Sequence, residues 1–340
     1  MVNDVSLRSR AIRLAAKGLR GSPAPVQDVA ARGSRLILRG LQQPTRIPTG
    51  EPVWVSPPPP LPEGVSLAAV EATFRSWSVN GESVGHLDGY VTDSYLRFLH
   101  TWGLVRHDTG RCLELGANPY FLTWLLEDHT DLDLSLASFH GVRGQGTETT
   151  SWLPPGASER VTRERSMELF NAEEDEFPYA DGTFDLVLFC EMIEHMLMDP
   201  LATLRQIHRI LRPGGVLILT TPNVARLENV LRLLHGANLY DPYSGYGPYG
   251  RHNREFTRHE LHRLLEFAGF EVETSMTADG HPTDHTSWGM YDDAAPLVDF
   301  RRPDLGHYLY VRARTVRPPR EGLPSFLYRS RPDGEIVDYA

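Results

Sequence analysis

Cysteines are scarce in this chain, and long apolar runs are missing from it. Only Cys112 and Cys190 occur among its 340 residues. Both lie in apolar, strand-like segments, where buried thiols in a reducing compartment are more typical than disulfide partners. No stretch approaches the roughly 18 consecutive apolar residues that indicate a membrane-spanning helix. The sequence therefore predicts a soluble, cytoplasmic protein whose fold does not depend on disulfides.

Positive charge is scarce as well. The formal net charge is -10, so the chain as a whole lacks the attraction for phosphates that drives nonspecific binding to nucleic acids. Nucleic acid is therefore not an expected partner.

Basic residues are concentrated near the amino terminus. Residues 5–19 and 29–41 have the pattern of arginine-rich amphipathic helices. One interpretation is peripheral contact with a membrane surface, or an organelle transit peptide. The other is a helical appendage that packs on the rest of the chain or on a second copy in a homodimer.

Composition divides the chain into three parts. Residues 1–65 are predicted to be an N-terminal helical extension that ends in a proline-rich linker at residues 56–62. Residues 66–317 are predicted to form the main globular domain. Residues 318–340 are rich in proline and arginine, and we expect them to be a surface extension.

Short apolar runs alternate with helical patterns through the main domain, which predicts an α/β fold with a doubly wound, mostly parallel sheet and helices on both faces. The last two runs are separated by one long loop and allow an antiparallel member. The predicted strands are residues 111–115, 132–138, 166–170, 184–190, 216–221, 270–276 and 308–314.

A cluster of polar residues directly follows the predicted strand at residues 184–190. Glu191, Glu194 and His195 stand at i, i+3 and i+4, which predicts that they share one face of a helix. Open α/β sheets bind their ligands at the carboxyl ends of the strands. The cluster is therefore a candidate acid–base or metal site.

A second candidate segment is the loop in LELGANPY, residues 113–120. Its glycine, Gly116, follows a strand and allows a ligand to approach the backbone closely. The loop does not match GxGxxG, because Asn118 and Tyr120 occupy the later positions. Asn118 tolerates positive φ and can still form the turn, whereas Tyr120 would crowd a diphosphate.

This loop, the segment at residues 171–195 and the LRPGGVLILTTPN segment at residues 211–223 together resemble the class I S-adenosylmethionine-dependent methyltransferases, in order and in spacing. The resemblance covers residues 85–314 and implies a Rossmann-like, seven-stranded sheet with S-adenosylmethionine as cofactor. The alternative is a nucleotide-binding or cofactor-free Rossmann-type protein.

The resemblance also implies roles for individual residues. Glu114 and Gly116 would lie near the methionine end of the cofactor, and Asn171 and Ala172 near the adenine. Ser138 stands where most members carry an acidic residue that binds the ribose. The full expected set of cofactor-binding residues is Glu114, Gly116, Asn118, Ser138, Asn171, Ala172 and Cys190.

His252 follows the fifth predicted strand in the segment GRHNREFTRHEL. Together with the EMIEH segment it resembles two metal-dependent branches of the family, the small-RNA 2'-O-methyltransferases and the ubiquinone-pathway O-methyltransferases. That resemblance implies a divalent metal, Mg²⁺ foremost with Mn²⁺ or Zn²⁺ as alternatives. The implied ligands are Glu191, Glu194, His195 and His252, of which Glu191, His195 and His252 are also the expected catalytic residues. Without a metal, His195 or His252 could act as a general base, or His195 could simply bond the backbone.

Residues 239–256 precede and include His252 and contain Tyr240, Tyr243, Tyr246 and Tyr249. Tyrosines can stack on sugar rings, so the segment is predicted to be a substrate lid, with a loop packed by its own tyrosines as the alternative. The segments ELGANPYF, NREFT and SFLYRS resemble bacterial methyltransferases of polysaccharide and glycolipid synthesis.

These patterns predict an enzyme of the O-methyltransferase class that acts on a hydroxyl of a sugar, glycan or glycolipid. The alternatives are methylation of a phenolic or quinone-precursor molecule, 2'-O-methylation of RNA, and a noncatalytic protein that binds S-adenosylmethionine.

Overall fold

The computed structural model describes residues 54–83, 88–245, 247–284, 291–330 and 334–339. The two predicted amphipathic helices of the N-terminal extension lie outside these residues. The proline-rich linker at residues 56–62 is described and has no regular secondary structure.

A large mixed sheet forms the centre of the domain, with strand order β2-β1-β5-β6-β4-β3-β7-β8-β10-β9. All seven strands predicted from the sequence are present in it, and each is as long as predicted or longer. The strands are β1 (Ser78–Val79), β2 (Glu82–Ser83), β3 (Thr109–Leu115), β4 (Asp131–Ser138), β5 (Gly144–Trp152), β6 (Val161–Leu169), β7 (Phe184–Cys190), β8 (Leu211–Pro222), β9 (Phe270–Ala278) and β10 (Tyr308–Thr315).

The strands from β6 to β8 in this order run parallel, and β10 pairs antiparallel with β8 on one side and with β9 on the other. One of the last two predicted strands could have been antiparallel, and the structure shows that it is β10. The parallel strands direct their carboxyl ends to one edge of the sheet, which is the edge where ligands bind in such folds.

Three strands of this sheet were not predicted, and all lie at one end of it. The long strand β5 pairs antiparallel with β6 along its whole length, and the short β1 and β2 extend the sheet beyond it. β5 reads GQGTETTSW and offers few apolar side chains. Its polar composition, which suits the outer part of a sheet, hides it from a search for apolar runs.

Helices cover both faces of the sheet, as predicted. On β7 the side chains alternate, so that Val187 and Phe189 belong to one apolar core and Leu186 and Leu188 to the other. The helices are α1 (Leu67–Arg75), α2 (Asp88–Val105), α3 (Phe121–His129), α4 (Pro200–Ile210), α5 (Leu227–Leu234), α6 (Arg258–Phe267) and α7 (Tyr291–Val298). Helices α1 to α3 pack on one face, and α4 and α6 on the other.

None of the described helices combines the length and the apolar composition needed to cross a bilayer.

The carboxyl-terminal segment is not the surface extension that its composition suggested. Leu323 and Tyr328 are only 5% and 8% exposed and join the core beside α4 and α6. The Tyr328 hydroxyl donates to Asp199 and accepts the backbone N–H of Leu201, at the start of α4. Two short strands, β11 (Leu323–Pro324) and β12 (Ile336–Val337), pair within the tail. A few apolar side chains among the prolines and arginines are sufficient to anchor it.

Candidate active site

The loop after β3 brings backbone close to the edge of the sheet. Gly116 has φ +72°, and a Cβ atom at this position would lie 2.9 Å from the Met192 sulfur. A side chain there would be strained and would crowd the turn after β7. The backbone geometry therefore agrees with the prediction that this turn requires a glycine at position 116.

The same loop is held by a residue of the unpredicted strand β5. Glu148 accepts a hydrogen bond from the Asn118 side chain at 3.0 Å and another from the Tyr120 hydroxyl. Tyr120 itself has φ +75° and stands directly before α3. No apolar run marks the strand that carries Glu148, so this residue could not be predicted to lie at the site.

A cavity of about 430 Å³ opens at this edge of the sheet, a size typical of small-molecule sites. Five of the expected cofactor residues line it, namely Gly116, Asn118, Ser138, Asn171 and Ala172. The remaining lining residues are Leu115, Ala137, Phe139, His140, Phe170, Glu173, Glu191, Met192, His195, Met196 and Tyr249.

Two expected cofactor residues, Glu114 and Cys190, do not line this cavity. The Glu114 carboxylate is buried behind the loop and accepts a hydrogen bond from Thr123 at 2.7 Å. Burial raises the pKa of Glu114 to about 8, although the Thr123 bond opposes the shift. Burial likewise raises the pKa of the Cys190 thiol to about 12. Neither side chain therefore faces the cavity; both lie behind its wall.

The segment Glu191 to His195 is not the α-helix that its spacing predicted. Glu191 has φ +54°, which turns the chain sharply after β7, and only a single 3₁₀ turn, Ile193–His195, follows. Helix α4 begins later, at Pro200. The Glu173 carboxylate accepts the backbone N–H groups of residues 197 to 199 and fixes the connection.

After this turn, the Glu191 carboxylate is bonded to residues outside the segment. One of its carboxylate oxygens lies 2.6 Å from the guanidinium of Arg97, and the other accepts a hydrogen bond from Thr220 at 2.8 Å. Arg97 is 4% exposed and lies in α2. A lone arginine between Leu96 and Phe98 in an apolar helix was the only sequence signal for this partner.

Glu194, His195 and His252 do come together. Each offers a ligand atom, and these atoms lie within 4.8 Å of one another. The rings of His195 and His252 are 5.0 Å apart. Three of the four expected metal ligands thus form one cluster, whereas Glu191 is held by Arg97 and Thr220.

The Glu194 carboxylate is fully buried and only half used. One oxygen accepts a hydrogen bond from Thr221 at 2.9 Å, and the other, Oε1, has no hydrogen-bond partner within the described part of the chain. The Nε2 atom of His195 lies 3.9 Å from Oε1. The Nδ1 atom of His195 lies 2.9 Å from the carbonyl of Arg251, so Nδ1 is the protonated donor and Nε2 is available as an acceptor or ligand.

Burial dominates the electrostatics of this cluster. It raises the pKa of Glu194 to about 8, with a further rise from the charge of Glu191. Burial also lowers the pKa of His195, and the neighbouring His252 lowers it further. The pKa of His252 is raised in spite of burial, because Glu255, Glu194 and Asp241 favour its protonated form. An added positive charge beside these carboxylates would be stabilised.

A second cavity of about 510 Å³ includes His252, whereas the first includes His195. Its polar wall contains Asp241, His252 and Glu255, and its apolar wall contains Val224, Leu233, Leu239 and Tyr240. The contacting pair of histidines therefore lies between the two cavities.

The predicted lid contributes to both cavities. Tyr249 lines the first and accepts a hydrogen bond from the Asn171 side chain at 3.2 Å. Tyr240 and Tyr243 are 85% and 94% exposed, and Tyr246 lies outside the described residues. Two of the four tyrosines thus do not pack into the loop.

Comparison with known proteins finds similarity to methyltransferases. Residues 85–275 match the family model of a methyltransferase domain. A Mycolicibacterium smegmatis protein named as an S-adenosylmethionine-dependent methyltransferase is 36% identical over 101 residues, which cover 30% of this chain and 34% of that protein. The ubiquinone biosynthesis O-methyltransferase of Pseudomonas aeruginosa is 35% identical over 133 residues, which cover 36% of this chain and 51% of that enzyme. The chain thus spans between a third and a half of the length of these curated relatives.

Solved structures of similar fold include a methyltransferase of Haloferax volcanii in complex with its Trm112 activator. It is 15% identical, has a TM-score of 0.43, and the match covers 68% of this chain and 93% of that one. A methyltransferase of Thermotoga maritima is 17% identical, with a TM-score of 0.39 and coverage of 66% and 90%.

Proposed function

The chain belongs to the class I S-adenosylmethionine-dependent methyltransferases, and we propose that it methylates a hydroxyl group of a sugar, glycan or glycolipid with the help of a divalent metal ion. Bound S-adenosylmethionine supplies an electrophilic methyl group on a positively charged sulfur. The residues of this chain would bind the cofactor, hold the acceptor hydroxyl and take up its proton.

The cavity of about 430 Å³ is the proposed cofactor site. Gly116 leaves room for a ligand against the backbone, and Phe170 supplies an apolar surface for a ring. Ser138 and Asn171 offer hydrogen-bonding groups, and the Ser138 hydroxyl would take the place of the usual ribose-binding acid. Asn118 would contribute from the loop after β3, where Glu148 fixes its side chain.

The observation that carries the proposal is the cluster of Glu194, His195 and His252 at the junction of the two cavities. Its position would put an acceptor hydroxyl between the methyl donor and the second cavity. Because Glu194 Oε1 is buried without a hydrogen-bond partner among the described residues, the cluster has an unused ligand atom that a cation would satisfy.

The donor set favours Mn²⁺ or Zn²⁺ over the Mg²⁺ that four ligands with two carboxylates suggested. Glu191 keeps both oxygens in bonds to Arg97 and Thr220, so that two imidazoles and one carboxylate remain. Imidazole ligands suit Zn²⁺ and related transition metals, whereas Mg²⁺ prefers oxygen. A bound divalent ion would lower the pKa of the acceptor hydroxyl and orient its oxygen.

A metal-free version of the same chemistry uses His195 as general base. Burial lowers the pKa of His195, so its ring is neutral at physiological pH, and Nε2 is the acceptor because Nδ1 donates to the carbonyl of Arg251. The two versions differ in their response to chelation.

The second cavity is the proposed acceptor site. Tyr240 offers an exposed ring for stacking on a sugar, and Asp241 offers a carboxylate for its hydroxyls. The apolar wall with Leu233 also keeps a phenolic or quinone-precursor acceptor as a second candidate, and the 35% identity to the Pseudomonas aeruginosa ubiquinone enzyme favours it. The net charge of -10 argues against RNA, and the histidine cluster argues against a noncatalytic role.

The predicted amphipathic helices lie within residues 1–53, outside the described residues. Their contact with a membrane surface, or with a second copy in a homodimer, therefore stays a prediction.

The proposal is tested by incubating the protein with methyl-labelled S-adenosylmethionine and panels of mono- and oligosaccharides or catechols. Each reaction is run with EDTA, and with EDTA followed by excess Mn²⁺, Zn²⁺ or Mg²⁺. We expect label in a saccharide, loss of transfer with EDTA and recovery with Mn²⁺ or Zn²⁺. Label in catechols alone would favour the second candidate. Full activity in EDTA with no metal in the purified protein would eliminate the metal, and failure to bind S-adenosylhomocysteine in calorimetry would eliminate transfer altogether.

A further inference from the structure

His252 is bonded on one side to a carboxylate that the proposed ligand set does not contain. Its Nδ1 atom lies 3.0 Å from Oε1 of Glu255. The Glu255 side chain is 10% exposed, and its other oxygen lies 2.6 Å from the guanidinium of Arg226.

We propose that Glu255 is a positioning residue that keeps the proton of His252 on Nδ1 and so leaves Nε2 for the active site. A carboxylate only accepts hydrogen bonds, so the nitrogen that faces it must carry the proton. Histidines that bind metals or act as bases are commonly oriented in this way by a second group. The use of Nε2 rests on the proposed function, whereas the position of the proton does not.

Asp241 does not replace Glu255 in this role, although it lies in the same cavity. It is 3.7 Å from Nδ1, beyond hydrogen-bond distance, and it accepts the backbone N–H of His252 at 3.0 Å instead. Asp241 therefore fixes the backbone of His252, and Glu255 fixes its ring.

Arg226 connects this arrangement to the sheet. Its guanidinium also donates to the carbonyl of Asn223 at 3.1 Å. The Asn223 side chain in turn donates to the carbonyls of Asp304 and Gly306 at 2.6 and 2.8 Å. The residues that follow β8 thus hold Arg226, which holds Glu255, which holds His252. These bonds fix the orientation of the His252 ring relative to the carboxyl edge of the sheet, where Glu194 also lies.

The proton position is measured directly by ¹⁵N NMR on metal-free protein labelled at histidine, at a pH above the raised pKa of His252. The signals are assigned with His252→Asn. We expect the wild type to carry the proton on Nδ1, Glu255→Gln to retain it there through its side-chain oxygen, and Glu255→Leu to lose that preference. Glu260→Gln is the matched control, since Glu260 also pairs with an arginine, Arg254, but has no bond to His252.

A wild-type proton on Nε2, or a proton on Nδ1 that persists in Glu255→Leu, would overturn the inference. If Glu255→Leu does not fold, the wild-type spectrum still decides the first of these outcomes.

The consequence for the proposed function is measured by titrating the same proteins with Mn²⁺. We expect Glu255→Leu to bind roughly 10- to 100-fold more weakly than the wild type, Glu255→Gln to lie between them, and Glu260→Gln to bind as the wild type does. Equal affinity in all variants would overturn the positioning role. If the wild type binds no Mn²⁺, the metal proposal fails, while the NMR result still stands for Glu255.

Discussion

The carboxylate of Glu191, at the wall of the proposed cofactor cavity, lies 2.6 Å from the guanidinium of Arg97, and both side chains are largely buried. The pair joins the turn after β7 to helix α2, which packs on one face of the sheet. Arg97 also lies against the ring of Tyr308, at the start of β10. One ion pair thus connects three elements around the site and removes Glu191 from the cluster of Glu194, His195 and His252.

We expect Arg97→Met to destabilise the protein by about 3–5 kcal/mol, because it leaves Glu191 buried without its countercharge. The double variant Arg97→Met/Glu191→Gln should recover part of this loss. Urea unfolding measures both effects. Arg232→Gln is the control: Arg232 forms an exposed i,i+4 pair with Glu228, and its loss should cost about 1 kcal/mol or less. A loss for Arg97→Met as small as that of the control would show that the buried pair does not support the wall.

The seven main strands could be predicted because their apolar runs record burial directly. β5 could not, since it is held in the sheet by pairing with β6 and its sequence is mostly polar. The connection of Asn118 and Tyr120 to Glu148 was hidden with it.

The candidate site shows the same division. The sequence placed Glu194, His195 and His252 in one site through resemblance, and the structure brings their ligand atoms within 4.8 Å. The spacing of Glu191 favoured a shared helical face, but the positive φ of this residue breaks the helix. Nothing in a local pattern reports a backbone turn of this kind, or a partner such as Arg97 from a distant helix.

Glu114 should make stability depend on pH. Burial raises its pKa from 4.5 to about 8, so the folded protein binds a proton that the unfolded chain has released. The contribution of Glu114 to stability is therefore complete below about pH 4.5 and is lost as pH rises toward 8. Glu114→Gln should remove this part of the slope, which urea unfolding across that range measures. Glu82→Gln, at an exposed strand position, should keep the slope of the wild type. An unchanged slope in Glu114→Gln would contradict the prediction.

Glu194→Gln should separate cofactor binding from methyl transfer. Glu194 contributes an oxygen that has no hydrogen-bond partner among the described residues, but it does not line the proposed cofactor cavity. We expect the variant to bind S-adenosylhomocysteine as the wild type does, while its kcat falls by roughly 10² or more. Glu174→Gln is a suitable control, because Glu174 is an exposed carboxylate directly after Glu173, which lines the same cavity. Calorimetry and labelled methyl transfer give the two readouts. Wild-type turnover in Glu194→Gln would exclude the carboxylate from the chemistry.

Gly116→Ala should damage the cofactor site beyond its cost in stability. A left-handed backbone costs an alanine roughly 1–2 kcal/mol, and the added Cβ would also meet Met192 at 2.9 Å and displace it within the wall of the cavity. Gly156→Ala isolates the first effect, since Gly156 has φ +79° and open space around it. We expect Gly116→Ala to lose at least as much stability as Gly156→Ala in urea unfolding. Only Gly116→Ala should bind S-adenosylhomocysteine more weakly in calorimetry. In that variant alone, the added Cβ and the displaced Met192 side chain would occupy space that the ligand needs. Equal binding by the two variants would mean that the loop after β3 does not approach the cofactor closely.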